Sequence, residues 1–156
     1  NGQFASVTPP NSDFKEYIMY HTHPVPSNDK PLFTYPSALD LKTYVRHYPD
    51  VQANLILENQ GYYVIDLIET NMRKPNASRV VATFEHLVTQ REFTTVTGIH
   101  RGIAYVQTTP TKWKRTVNNY IDTIMRRQFG ISIRYYTWSE LGEITLLDKS
   151  ILMNSN

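Results

Sequence analysis

The sequence contains no cysteine. Disulfide scaffolds, zinc ribbons, iron–sulfur centres and thiol nucleophiles are excluded together, and any metal must be held by His, Asp, Glu or backbone oxygen. Glycine is scarce, six in 156 residues, and none of the six fall in a Gly-rich cluster. The sequence therefore has no phosphate-cradling loop, and it also lacks the Gly-x-Ser-x-Gly turn of a serine hydrolase. No apolar run approaches the roughly 18 residues that span a bilayer. A charge excess is missing too: 16 Lys and Arg against 14 Asp and Glu leave +2. That is not the footprint of an electrostatic nucleic-acid binder. The first twelve residues have neither the charged start nor the apolar centre of a secretory leader. A soluble domain is expected, intracellular rather than secreted. The start at Asn1 instead of Met is what a piece excised from a longer protein would show.

With 40% apolar and 19% charged residues, a chain of this length can build one packed core. The pattern predicts a single α/β domain over residues 1–156, a mixed sheet flanked by helices, with residues 1–13 irregular. Phe14 to Tyr20 reads as a strand, and a Pro/Asn/Ser-rich loop follows from Pro24 to Pro31. Pro36-Ser37 opens a helix over Ala38 to about His47 that stops before Pro49. Two β-rich runs, Ala53–Glu58 and Tyr62–Ile68, flank Asn59-Gln60-Gly61. They predict an antiparallel hairpin, apolar enough to be central in its sheet. A helix is expected from Arg79 to Gln90, capped by Asn76 or Ser78, with Val80, Phe84, Leu87 and Val88 on one stripe. Thr94 to Thr108 predicts a strand pair broken at Gly98 or Gly102. A second helix, capped by Thr111 and turning Trp113, Val117, Tyr120, Ile121, Ile124 and Met125 inward, runs to about Gln128 and ends at Gly130. Ile131–Tyr136 reads as a strand, and Leu141–Leu147 as another.

The chemistry sits in His21-Thr22-His23-Pro24 and Ser37-Ala38-Leu39-Asp40. Residues i and i+2 of a strand share a face, so both imidazoles can address one point, with Pro24 leaving them at the strand tip. If Ser37 caps the next helix, Asp40 lies in its first turn and points back toward that tip. Two imidazoles and a carboxylate are three ligands for one zinc ion, with the fourth position left to water as in a hydrolytic site. Zinc lowers the pKa of bound water to roughly 7 and polarises a carbonyl, as amide hydrolysis requires.

The His-x-His-Pro, loop, Ser-x-x-Asp pattern resembles the JAMM signature of the JAB1/MPN metalloproteases. It covers His21, His23, Pro24, Ser37 and Asp40, and the order of strand, loop, helix and apolar hairpin continues through about Leu67. The resemblance implies a JAB1/MPN-like fold in which His21, His23 and Asp40 ligate zinc and Ser37 supports the bound water or the oxyanion. It implies a zinc-dependent hydrolase of amide or isopeptide bonds acting on ubiquitin-like conjugates or related substrates. The alternative is a catalytically inactive scaffold subunit of a larger assembly. In either case the partner is protein. The chain departs from the family twice. Its loop from His23 to Ser37 is longer, which is thermodynamically mild. The upstream general-base glutamate is also not identifiable: Glu16, the sole glutamate before His21, falls on the opposite strand face about 17 Å away.

The other histidines, His47, His86 and His100, adjoin no second candidate ligand. Tyr62, Tyr63, Tyr135 and Tyr136 fit pleated sheet surfaces and carry no assigned chemistry. Lys112, Lys114, Arg115, Arg126 and Arg127 on the Trp113 helix read as a solvated face rather than a phosphate-binding one.

Overall fold

The computed structural model describes residues 17–23, 33–68 and 74–138, which fold as a small α/β domain with a mixed sheet and helices. The chain runs through β1 (Tyr17–Thr22), α1 (Ala38–His47), β2 (Val51–Leu57), β3 (Gly61–Leu67), α2 (Ala77–Leu87) and the short α3 (Arg91–Thr94). It continues through β4 (Thr97–His100), β5 (Ile103–Val106), α4 (Pro110–Thr116), a π-helical turn (Val117–Ile121), α5 (Asp122–Phe129) and β6 (Ile131–Thr137). Four strands make one sheet in the order β1-β2-β3-β6, and β4 and β5 form a separate two-stranded hairpin. Only the β1–β2 pair is parallel. As expected, the β2–β3 hairpin occupies the two central positions.

A parallel pair cannot be joined by a tight turn, and here the crossover carries α1. The helix starts where β1 ends and returns the chain to the start of β2. The carboxyl ends of β1 and β2 therefore lie together with the amino end of α1, the crevice where open α/β sheets gather their functional groups. His23 N–H still donates to Leu57 C=O at 3.0 Å, so the parallel ladder holds to the last residue before the site.

Period-2 alternation sorts the sheet into two faces. Tyr63, Ile65 and Leu67 of β3 join Ile131, Ile133 and Tyr135 of β6 and Ile56 of β2 in one core, covered by Leu41 and Tyr44 of α1, Phe84 of α2, Trp113 of α4 and Met125 of α5. Tyr62 and Val64 turn the other way and cluster with Leu55, Leu57 and Tyr136. Gly61 is required by a close approach: a Cβ there would lie 2.2 Å from the Tyr136 carbonyl oxygen.

Several expected boundaries move. Among the described residues the first strand covers Tyr17–Thr22, running past the expected end at Tyr20 and carrying His21 within it. Residues 14–16, Glu16 among them, and the strand expected over Leu141–Leu147 lie outside the described residues. The helix expected to reach Gln90 ends at Leu87, with Asn76 as its cap, and a separate turn follows over Arg91–Thr94. The next helix is capped by Thr109 rather than Thr111, because Pro110 takes the first helical position, where its missing N–H costs nothing. Its π turn lets Asn118 Oδ1 accept from Tyr135 N–H at 3.1 Å. That bond satisfies a donor on the edge strand β6. The β4–β5 hairpin turns at Arg101-Gly102, both with positive φ (51° and 78°), so Gly102 and not Gly98 breaks the pair.

One half-buried carboxyl, that of Asp66, works against this fold. Burial and the neighbouring Asp122 charge push the Asp66 carboxyl up to about 6, against the pull of Arg126 and Arg134. The unfolded chain deprotonates this group near its ordinary value of 3.8, whereas the folded chain resists until about pH 6. Ionised Asp66 therefore destabilises the fold above that pH. Asp66→Asn is expected to raise unfolding stability by about 1–2 kcal/mol at pH 7–8 and to give no gain below about pH 4, read by urea titration at each pH.

Candidate metal centre

Each candidate ligand reaches the crevice by a local rule. His21 is the fifth residue of β1 and His23 follows its end, so the two rings leave the same face. Their centroids are 5.1 Å apart and their Nε2 atoms 3.3 Å apart. Asp40 is brought in by α1. Ser37 caps this helix, its Oγ accepting from Asp40 N–H at 3.1 Å, while Asp40 Oδ2 accepts from Ser37 N–H at 2.8 Å. This reciprocal box fixes the carboxylate in the first turn, where the helix dipole favours negative charge. Asp40 Oδ1 lies 3.3 Å from His21 Nε2, and Oδ2 lies 3.4 Å from His23 Nε2.

Those three separations test whether the residues fit a metal. A tetrahedral zinc ion roughly 2.0–2.1 Å from each N or O ligand sets ligand–ligand distances of about 3.3–3.5 Å. The two imidazole nitrogens, 3.3 Å apart, match such an edge. The carboxylate meets them through different oxygens, Oδ1 at 3.3 Å from His21 and Oδ2 at 3.4 Å from His23, and one ligand atom from each residue lies within 4.8 Å of the others. The side chains of His21, His23 and Asp40 are only 13%, 8% and 16% exposed, so a bound ion would be shielded on the protein side. His21, His23 and Asp40 are also the sole group of three or more His, Asp or Glu with this convergence among the described residues; His47, His86 and His100 stay apart from it. The donor set fits zinc.

Glu58 was not anticipated from the sequence. It follows β2, and its side chain is 2% exposed. His23 Nδ1 lies 2.8 Å from Glu58 Oε1, and since a carboxylate only accepts, that ring nitrogen is the donor. A neutral His23 must then carry its lone pair on Nε2, facing the other two ligands, which is the tautomer that binds metal. Thr34 holds Glu58 in turn: its Oγ1 donates to Oε1 at 2.7 Å and its N–H to Oε2 at 3.2 Å. The Thr34 carbonyl accepts from the Tyr63 hydroxyl at 2.8 Å, and Tyr63 Oη accepts from Trp113 Nε1 at 2.8 Å. Tyr63 and Trp113 are fully buried. A chain of hydrogen bonds through Tyr63, Thr34 and Glu58 thus runs from the core to the His23 imidazole. Tyr63, read from sequence as ordinary sheet packing, is one of its links. The signal that could have exposed Glu58 is topological: parallel β1 and β2 end together, so the residue closing β2 must meet the residue closing β1.

The electrostatics follow from this crowding. Burial opposes charge on His23, but its hydrogen bonds and proximity to Asp40 and Glu58 outweigh that penalty and push its pKa up to about 9. For Asp40, burial is again the largest influence and is unfavourable to charge. Hydrogen bonds from His21, His23 and the Ser37 backbone overcome it and hold the carboxyl well below the usual carboxylate range. Ser37 is exposed at the rim, beside a groove of about 540 Å³ that begins at His23 and Thr34. Of the predicted site residues, the structure brings together His21, His23 and Asp40, with Ser37 adjoining them through its cap.

No family model, curated protein or solved structure matches the chain. Among the described residues, no helix is long and apolar enough to cross a membrane.

In the metal-free protein the raised His23 pKa sets a pH trend. Protonated His23 stabilises the fold fully below its ordinary 6.5, and this stabilisation is lost as pH rises through about 9. Chelator-treated protein should therefore lose unfolding free energy between pH 6.5 and 9, measured by denaturant titration, and His23→Gln should remove that slope. An unchanged slope in His23→Gln would assign the titration to another group.

Proposed function

We propose that the chain is a zinc-dependent hydrolase of amide or isopeptide bonds with a JAB1/MPN-like arrangement of its site. The observation that carries this reading is the set of three near-equal separations among His21 Nε2, His23 Nε2 and the Asp40 carboxylate. His21, His23 and Asp40 would hold one zinc ion, which supplies Lewis acidity toward a carbonyl and activates water at neutral pH. The rest is the work of this chain's own groups. Glu58 keeps a proton of His23 on Nδ1 and so turns Nε2 toward His21 and Asp40. Ser37 uses its Oγ lone pair for Asp40 N–H and its backbone N–H for the carboxylate, so the cap leaves the Oγ–H proton unused. Exposed at the rim, that hydroxyl can donate to an oxygen gaining negative charge.

A second reading, an inactive scaffold with a metal site, is favoured by one observation. Glu58, the glutamate nearest the ligands among the described residues, is bound by His23 Nδ1 and both Thr34 donors, on the side of the ring away from Nε2. It orients a ligand and is not placed to carry a proton for water. Loss of a general base removes about 10²–10⁴-fold in rate.

The purified chain should take up one equivalent of zinc. His21→Ala and Asp40→Ala should abolish stoichiometric binding, measured by metal analysis after dialysis. Glu58→Gln should weaken zinc affinity about 10–100-fold in a competition titration, because a neutral amide orients the imidazole less well. Chelator-sensitive cleavage of isopeptide-linked or peptide substrates would support the hydrolase. Stoichiometric zinc without cleavage of any of them would select the scaffold, and equal metal in all variants would refute the site.

A further inference from the structure

The groove that starts at His23 runs between the Thr34–Leu39 segment on one side and α2 with the β4–β5 turn on the other. We infer that it is a subsite for a large apolar side chain of a peptide substrate, next to the amide held at His21, His23 and Asp40. The inference rests on the hydrolase reading and names its substrate class. Three observations point to this occupant. The groove adjoins the candidate ligands, since His23, Thr34 and Ser37 are among the residues that line it. Its volume of about 540 Å³ lies in the range of small-molecule sites and has room for a large apolar side chain together with the backbone that carries it. Its walls are built from Tyr35, Leu39, Val88, Ile103 and Ala104, with Glu85 as the one carboxylate.

Leu39 supports the same conclusion. It stands in the first turn of α1, one residue before Asp40, and is 55% exposed although α1 already buries Leu41, Tyr44 and Val45 in the core. Its exposed apolar surface forms part of the groove's lining. A tail of glycines would leave these walls wet. A Leu or Phe side chain would cover them, and an acidic side chain would meet the Glu85 carboxylate. The groove therefore selects a bulky apolar residue over glycine, and glycine over aspartate.

The test uses acetylated, amidated tetrapeptides differing only in Leu, Gly or Asp at one position, titrated calorimetrically into the full chain loaded with one equivalent of zinc. The Leu peptide should bind at least tenfold more tightly than the Gly peptide, and the Asp peptide more weakly than either. Ala104→Trp, which fills the groove, should erase the Leu advantage at unchanged zinc content. Leu39→Ser alters an exposed position and tolerates the fold more readily, so it should reduce the same advantage if the tryptophan variant does not fold. Equal affinity for Leu and Gly peptides, or an advantage that survives in the folded variants, overturns the subsite. Failure of the two ideas separates cleanly. Cleavage of Leu and Gly peptides with equal kcat/KM would refute the subsite and leave the hydrolase, whereas Leu-selective binding without cleavage would refute the hydrolase and leave the subsite.

Discussion

Parallel pairing of β1 with β2 is the constraint on which the site depends. It forces a crossover, the crossover carries α1, and the geometry of the unit places two strand ends and one helix start in a single crevice. Each delivers one kind of group: imidazoles from the end of β1, the Asp40 carboxylate from the first turn of α1, and the Glu58 carboxylate from the end of β2. Antiparallel pairing would have sent Glu58 to the far edge of the sheet. The ladder bond from His23 N–H to Leu57 C=O therefore bears on chemistry as much as on folding, because it holds His23 in register with the residue that orients it.

The crevice gathers more anionic character than its burial tolerates. Two carboxylates, one of them almost fully enclosed, share a small volume with two imidazoles. Something cationic must sit among them. In the protein without metal, that cation is the His23 proton, retained to about pH 9. A divalent ion at the same point would replace it and neutralise the carboxylates more completely, at the cost of displacing a proton. The tightness of the proton is thus the metal-free expression of the field that would favour a dication. Glu58 contributes on both counts, as a counter-charge and as the acceptor that fixes the ring.

The α/β architecture with its mixed sheet and the convergence of His21, His23 and Asp40 were legible in the sequence for physical reasons. Period-2 spacing of His21 and His23 on a strand and the Ser-x-x-Asp box before Leu41 are local rules, and local rules survive tertiary context. The hairpin at Asn59–Gly61 followed likewise from turn chemistry. What was not legible was non-local. Glu58 looked like the polar end of a strand, and only the partner of β2 reveals that it lies under His23. Tyr63 looked like sheet packing, and only the arrival of Trp113 and the Thr34 carbonyl gives its hydroxyl partners. Thr111 looked like the cap of its helix, yet Pro110 at the first helical position, where a missing N–H costs nothing, moves the cap to Thr109. The π turn had no sequence signature: it depends on Asn118 reaching the edge of β6.

A metal held only to stabilise a fold is usually enclosed by four protein ligands, whereas one used for chemistry keeps a position open. Here the described residues supply three donor groups, and the side away from them is bordered by the exposed Ser37 and the groove. The core does not need the metal to be held together, since Thr34, Tyr63 and Trp113 already tie the Phe33–Ser37 segment to the sheet through hydrogen bonds within the protein. Such investment in a ligand's orientation is hard to explain for a site without further use. A preorganised imidazole, two further convergent donor groups and an adjoining apolar groove would together suit a site that receives a substrate better than one that only binds an ion.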